Sequence, residues 1–237
     1  MDSHRKTAMI VGILFVVATV AGMIGAILTG PITDDPDYLV NTSAHENEVA
    51  LGALLYLIMG VAVVGIAVMI FPILKKVNEG LALAYVGFRT LEFVIFIVVA
   101  MSLLSLLTLS QEYVDAGASN ATAFEVQGTI LLAQQEWSSI PADIVFGFGC
   151  LMVFYLLYQS KLVPRPLSVW GFVGGIFMLT AAVLGAFGVI GALDASTILL
   201  NLPIAVLEMV LAVWLIVKGF NPSAIASGSA KASEGGD

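Results

Sequence analysis

Six stretches of this chain are apolar almost without a break: residues 8–28, 49–74, 81–109, 140–158, 167–193 and 198–217. A helix needs about 20 apolar residues to cross the hydrocarbon core of a bilayer, and each stretch is close to that length or longer. The apolar positions are continuous and do not alternate with period two, so the pattern predicts helices and not the strands of a membrane barrel. Lipid offers no hydrogen-bond partner to a bare backbone, which makes the helix the default spanning element. Pro31, Pro36, Pro141, Pro164, Pro166 and Pro203 are expected in turns, or in first helical turns, near the ends of these spans. The pattern thus predicts an all-α, polytopic transmembrane bundle of six helices over residues 1–220. In residues 221–237, Gly, Ser, Ala and scattered charge cannot bury a core and predict a disordered tail.

Two segments need a closer look. Arg5 and Lys6 resemble the basic start of a signal peptide. The apolar run behind them is longer than the usual stretch of about 7–15 residues, and no small-x-small cleavage site closes it, so the first span is expected to be retained. The connector 110–139 is long for a structureless loop. Thr122 and Glu125 have the S/T-x-x-E spacing of a capping box, and Val126, Ile130, Ala133 and Trp137 then recur at helical spacing. This predicts either a short amphipathic helix on the membrane surface or an extension of the fourth span broken at Pro141.

Composition agrees with the pattern. Hydrophobic residues make up 59% of the chain and charged ones 11%, against about 25% charged in a soluble domain. A soluble protein of 237 residues could not cover so much apolar surface.

Charge adds an orientation. Arg5 and Lys6 precede the first span, Lys75 and Lys76 follow the second, and Lys161 and Arg165 join the fourth to the fifth. Lys218 closes the sixth span and Lys231 lies in the tail. The alternate connectors, 29–48, 110–139 and the one around Asp194, hold neither Lys nor Arg. The positive-inside rule then places both termini in the cytoplasm and the acidic connectors outside. Asn41 and Asn120 head N-x-S/T sequons in those outer connectors, where a host with the machinery would glycosylate them. The net charge of −8 argues against a nucleic-acid partner; the bilayer is the partner that composition implies.

Ionisable groups inside a span are costly, which makes them the first candidates for function. The third span carries Arg89 and Glu92; the sixth carries Glu208, with Asn201 two turns before it on the same face. Glu92 and Glu208 each lie roughly 15 Å from the basic end of their spans at 1.5 Å per residue, near the midplane. An unpaired charge at the helix centre costs about 2.5–3.5 kcal/mol, so Arg89, Glu92 and Glu208 are predicted to meet inside the bundle. One arginine cannot neutralise two carboxylates; either one carboxyl holds a proton or water reaches it. Such a cluster serves as a structural clamp on helix register, or as a site for a proton, ion or substrate.

Asp143 is read as a cap or interfacial residue near the outer end of the fourth span, and Cys150 as packing. Ala18, Gly22 and Ala26, and likewise Gly171 and Gly175, form small-residue lines that permit close helix contact within the bundle or with another subunit. There is one cysteine, and the two histidines, His4 and His45, lie outside the apolar runs. No intramolecular disulfide, thiolate metal site or haem ligation has residues to carry it, and no H-E-x-x-H, G-x-S-x-G or P-loop motif appears. No cofactor and no metal are expected.

Several segments occur in a telling order: Arg5-Lys6-Thr7-Ala8, then Phe88-Arg89-Thr90-Leu91-Glu92, then Phe148-Gly149-Cys150-Leu151 through Tyr155-Leu156-Leu157-Tyr158. The basic turn 161–165 follows, and Leu207-Glu208 leads through Trp214 to Lys218-Gly219-Phe220. This order resembles the membrane family known as domain of unknown function 4386, from Lys6 to Phe220. The resemblance implies a multi-pass protein of a prokaryotic plasma (inner) membrane, and it supplies no activity. The matching positions include Arg89, Glu92 and Glu208.

Three function classes remain. The first is a binder or transporter of an ion, proton or small amphiphile, with the cluster as its site. The second is a structural or assembly subunit of a membrane complex, or of a homo-oligomer. The third, an intramembrane enzyme using the two glutamates as acid and base, ranks last because no nucleophile or metal site accompanies them. A water-accessible cavity at Glu208 would favour the first class. A dry, fully paired cluster with an apolar groove on one flank would favour the second.

Overall fold

The structure, a computed structural model, describes residues 3–117, 121–191 and 194–225. The tail beyond residue 225 with Lys231, the sequon residue Asn120 and the last residue of the fifth apolar run, Leu193, lie outside the described residues. The described residues form eight principal helices: α1 Ser3–Thr33, α2 Tyr38–Ala44, α3 Glu46–Leu74, α4 Glu79–Ala116, α5 Ala121–Trp137, α6 Ser139–Ser160, α7 Arg165–Ala186 and α8 Ala195–Val217. No strand occurs among the described residues.

Among the described residues, six spans are long and apolar enough to cross a membrane: α1, α3, α4, α7, α8, and α5 with α6 taken together. No more than 44% of the most apolar window of any span is buried within the protein. Large apolar side chains stand outward on every one of them, among them Ile27 at 66% and Leu199 at 70% exposure. Apolar surface on this scale is incompatible with water. The chain is therefore an integral, multi-pass membrane protein whose outward faces are solvated by lipid.

The helices depart from the apolar runs where capping chemistry overrides hydropathy. Apolar character persists beyond Ala186, but α7 stops there, and the next turn closes through Gly188 at φ +66°, a left-handed conformation open to glycine. Pro203 is not at a span end; it lies inside α8, which already begins at Ala195. Without an N–H, Pro203 leaves the Leu199 carbonyl lacking its helical partner. Pro31 likewise falls within α1, in its last turn.

The long connector 110–139 is mostly helical. Its first part continues α4 and its second part is α5. The break before α6 comes at Ser138, whose hydroxyl donates to the Gln134 carbonyl at 2.6 Å. Pro141 falls in the first turn of α6, where a missing N–H costs nothing. Thr122 lies inside α5, past the N-cap position. Val126, Ile130 and Trp137 are all more than half exposed, a stripe suited to a membrane surface.

The chain divides into two compact units, Met1–Val16, Ala62–Glu92 and Ile140–Asp237 forming the first, and Val17–Val61 and Phe93–Ser139 the second. In the first, Val11, Ile66, Tyr85, Leu156, Leu207 and Leu215 are all but fully buried. Glycines let its helices approach: a Cβ on Gly175 would stand 3.0 Å from the Cys150 Cβ, and one on Gly171 would strike the Phe154 ring. On the other side of α7, a Cβ on Gly174 would stand 3.1 Å from the Ile204 Cβ of α8. The Arg5 guanidinium donates to the carbonyls of Leu215, Ile216 and Val217 at 3.0, 2.7 and 2.9 Å. It caps the C-terminus of α8 with a cation where the helix dipole favours one, and brings the start of α1 to the end of α8.

In the second unit, Ile32, Val49, Ala53 and Leu103 form the core. Gly25 of α1 faces the Gly52 carbonyl of α3, and Gly22 faces the Met59 sulfur. Ala26 is exposed, so the close-packing edge of α1 runs through Gly22 and Gly25. The Tyr38 hydroxyl donates to the Glu125 carbonyl at 3.1 Å and ties α2 to α5.

Candidate functional site

The ionisable groups that sit deepest in the apolar spans belong to the first unit. Glu92 follows Arg89 at a spacing of i,i+3, which puts both on one face of α4. Arg89 Nη1 donates to Glu92 Oε2 at 2.8 Å, and both side chains are only 3% exposed. Arg89 Nε donates to the Tyr85 hydroxyl, one turn back on the same face, at 3.3 Å. The guanidinium carbon lies 4.6 Å from the centre of the Phe146 ring of α6 and 5.5 Å from that of Tyr85. Two aromatic faces thus shield the cation while their ring quadrupoles attract it.

Glu208 of α8 completes the cluster, but loosely. Its Oε1 lies 3.7 Å from Arg89 Nη2, and its side chain is 20% exposed. That separation is an ion pair and not a hydrogen bond. Arg89 and Glu92 neutralise each other at close range, so Glu208 is the surplus carboxylate. Asp143, half-buried in the second turn of α6, lies within electrostatic range of Glu92.

A cavity of about 10 Å³ adjoins Glu208, Arg89 and Tyr85 and is otherwise walled by apolar side chains such as Val11, Phe15 and Phe154. Space of that size is at the lower limit of what holds one water. Among the described residues, no three His, Cys, Asp or Glu side chains converge as metal ligands would.

Arg89, Glu92 and Glu208, singled out by their insertion cost, come together here. Asn201 stands apart: two turns along α8 from Glu208, its Oδ1 is buried without a hydrogen-bond partner. Tyr85 and Phe146 were not foreseen. Tyr85 could have been, since it sits one turn from Arg89 on the same face. Phe146 carries no signal in the sequence, because its place beside Arg89 depends on how α6 packs against α4.

A family model described as "Domain of unknown function (DUF4386)" matches residues 10–219. No curated protein and no solved structure matches the chain.

Proposed function

Because the chain belongs to the DUF4386 family, whose description assigns no activity, we propose a function from the site alone: Glu208 binds one proton or one small monovalent cation inside the bilayer. The protein carries that species across, or changes shape in response to it. The observation behind this reading is the asymmetry around Arg89, with Glu92 hydrogen-bonded at 2.8 Å and Glu208 held at 3.7 Å beside a cavity. A carboxylate left over in an apolar interior requires a counter-charge, and a cavity of about 10 Å³ admits nothing larger than a water-sized species. An amphiphile does not fit there.

Two acceptors further along α8 support a polar route. The carbonyl of Leu199 is freed by Pro203, and the buried Asn201 Oδ1 has no partner. Backbone carbonyls freed by a helix break are a recurring means of coordinating protons and cations in transporters. Basic connectors in the cytoplasm and a plasma-membrane location complete the proposal.

The test is infrared difference spectroscopy of the reconstituted protein. A protonated-carboxyl band that titrates with pH and disappears in Glu208→Gln is the expected result. A band that instead responds to sodium at fixed pH identifies the cation. No band from Glu208 under either condition refutes the reading. That outcome would move the assignment to a structural clamp, the second reading, which is favoured by the near-complete burial of the Arg89–Glu92 pair.

A further inference from the structure

A separate feature lies in the first unit, where Arg5 caps α8. The turn from α6 to α7 and the end of α8 border a cavity of about 510 Å³ lined by Lys161, Arg165 and Lys218. Among the described residues, no carboxylate lines it. All three cations are exposed, and among the described residues none has an ion-pair partner. The turn that presents them is held in place. Lys161 adopts φ 55°, its carbonyl accepts from Asn221 Nδ2 at 3.4 Å, and the Asn221 N–H donates to the Leu162 carbonyl at 2.9 Å. The Arg165 guanidinium lies over the Tyr158 ring at 5.1 Å.

Trp214 and Lys218 border this cavity and also a shallow groove of about 460 Å³ along one face of α8, floored by Met209, Val210, Val213 and Val217. Apart from Lys218, no charged residue among the described ones lines this groove. From Lys218 to Met209 it spans roughly 14 Å of α8 at 1.5 Å per residue. That is close to one leaflet of a hydrocarbon core about 30 Å thick.

We propose that the basic cavity and the adjoining groove together bind one anionic phospholipid, with its phosphate among Lys161, Arg165 and Lys218 and an acyl chain along α8. Charge selects the headgroup: three cations without an ion-pair partner, and no acid among the described lining residues, favour a net anion over a zwitterion. Continuity selects a lipid over a soluble anion, since the apolar groove begins at the same Trp214 and Lys218 that edge the basic cavity. Trp214 lies at the junction, the level at which interfacial aromatics sit. Arg5 is already engaged with three carbonyls of α8 and is not counted among the ligands. This site does not depend on Glu208.

The experiment is native mass spectrometry of the full chain, equilibrated with equal amounts of phosphatidylglycerol and phosphatidylcholine bearing identical acyl chains. The wild type should retain one phosphatidylglycerol in preference to phosphatidylcholine. Each juxtamembrane cation is worth about fivefold in affinity for an anionic lipid, so K161Q/K218Q should reduce the preference roughly thirty-fold. K6Q/K75Q, an equal change of charge at exposed positions outside the site, should leave it unchanged. Val213→Trp, which fills the groove, should lower retention of both lipids without altering their ratio. Equal loss in the two double variants would reduce the effect to general surface charge and overturn the site. So would a wild type without preference, a bound protein in place of lipid, or displacement of phosphatidylglycerol by glycerol phosphate at similar concentration.

Discussion

Glu92→Gln and Glu208→Gln each remove one negative charge from the same cluster, yet the geometry makes them unequal. Glu92 accepts from Arg89 at 2.8 Å with both side chains 3% exposed. Removing one partner of a buried pair costs about 3–5 kcal/mol, because the other charge is left uncompensated. Glu208 remains within reach of Arg89, which puts the expected loss for Glu92→Gln at the lower end, about 3 kcal/mol. Glu208 stands at 3.7 Å and is one-fifth exposed, so Glu208→Gln should cost about 1 kcal/mol, closer to the range of exposed pairs. With Arg89→Met as background, neither glutamate has a cation to lose, and Glu92→Gln should become neutral or stabilising. The coupling energies should therefore be about 3 kcal/mol for Arg89 with Glu92 and about 1 kcal/mol for Arg89 with Glu208. Reversible unfolding in mixed micelles of rising dodecyl sulfate fraction, followed by circular dichroism, measures both cycles. A coupling to Glu208 equal to or above that to Glu92, or additivity in both cycles, would refute the asymmetry on which the proposed site rests.

Packing and capping yield further expectations. Gly171→Ala drives a methyl into the Phe154 ring, whereas Gly87→Ala meets nothing within 4 Å. The first should destabilise the protein by an overpacking cost of about 1–3 kcal/mol and the second should stabilise it by about 0.5–1 kcal/mol through helix propensity, read as a lowered and a raised thermal midpoint. Arg5→Gln removes charge-assisted hydrogen bonds to three carbonyls; the loss should be about 1.5–3 kcal/mol, with faster amide exchange confined to the last turn of α8 and the residues it holds. Orientation is accessible through cysteine labelling, because the native Cys150 is 1% exposed and should stay silent. In intact cells, an impermeant maleimide should label Asp35→Cys and leave Ser3→Cys unlabelled; the reverse pattern would invert the assignment made from the basic connectors.

Spans were legible because lipid imposes a length and forbids unpaired backbone, so hydropathy alone counted six. Their ends were less legible. Helix α4 runs on to Ala116 through Gln111, Glu112 and Asp115, since a helix leaving the apolar core need not stop while its polar side chains meet water. Pro203 was expected at an end and lies inside α8; it removes one helical hydrogen bond, at the Leu199 carbonyl, which the rest of the helix can bear. The small-residue line of α1 left open which of its members meet a neighbour: Gly22 and the adjacent Gly25 face α3, while Ala26 is exposed. Both Ala26 and Gly25 are small, and spacing by four does not reveal which of two adjacent lines faces the neighbour.

The same distinction between local and long-range information applies to the site. Convergence of Arg89, Glu92 and Glu208 followed from insertion cost, a property of residue type and depth. Pairing of Arg89 with Glu92 followed from a three-residue spacing on one helix. The distance from Arg89 to Glu208 had no such local determinant. The position of α8 depends on long-range packing, including Gly174 of α7 against Ile204, one helical turn before Glu208. A change in that contact would move Glu208 relative to a guanidinium already anchored by Glu92 and Tyr85. Gly174→Ala, with its added Cβ 3.1 Å from the Ile204 Cβ, should therefore alter the coupling of Arg89 with Glu208 while sparing that with Glu92. If Glu208 takes up a proton or a cation, the same substitution should shift the conditions under which it does so, without touching a charged residue.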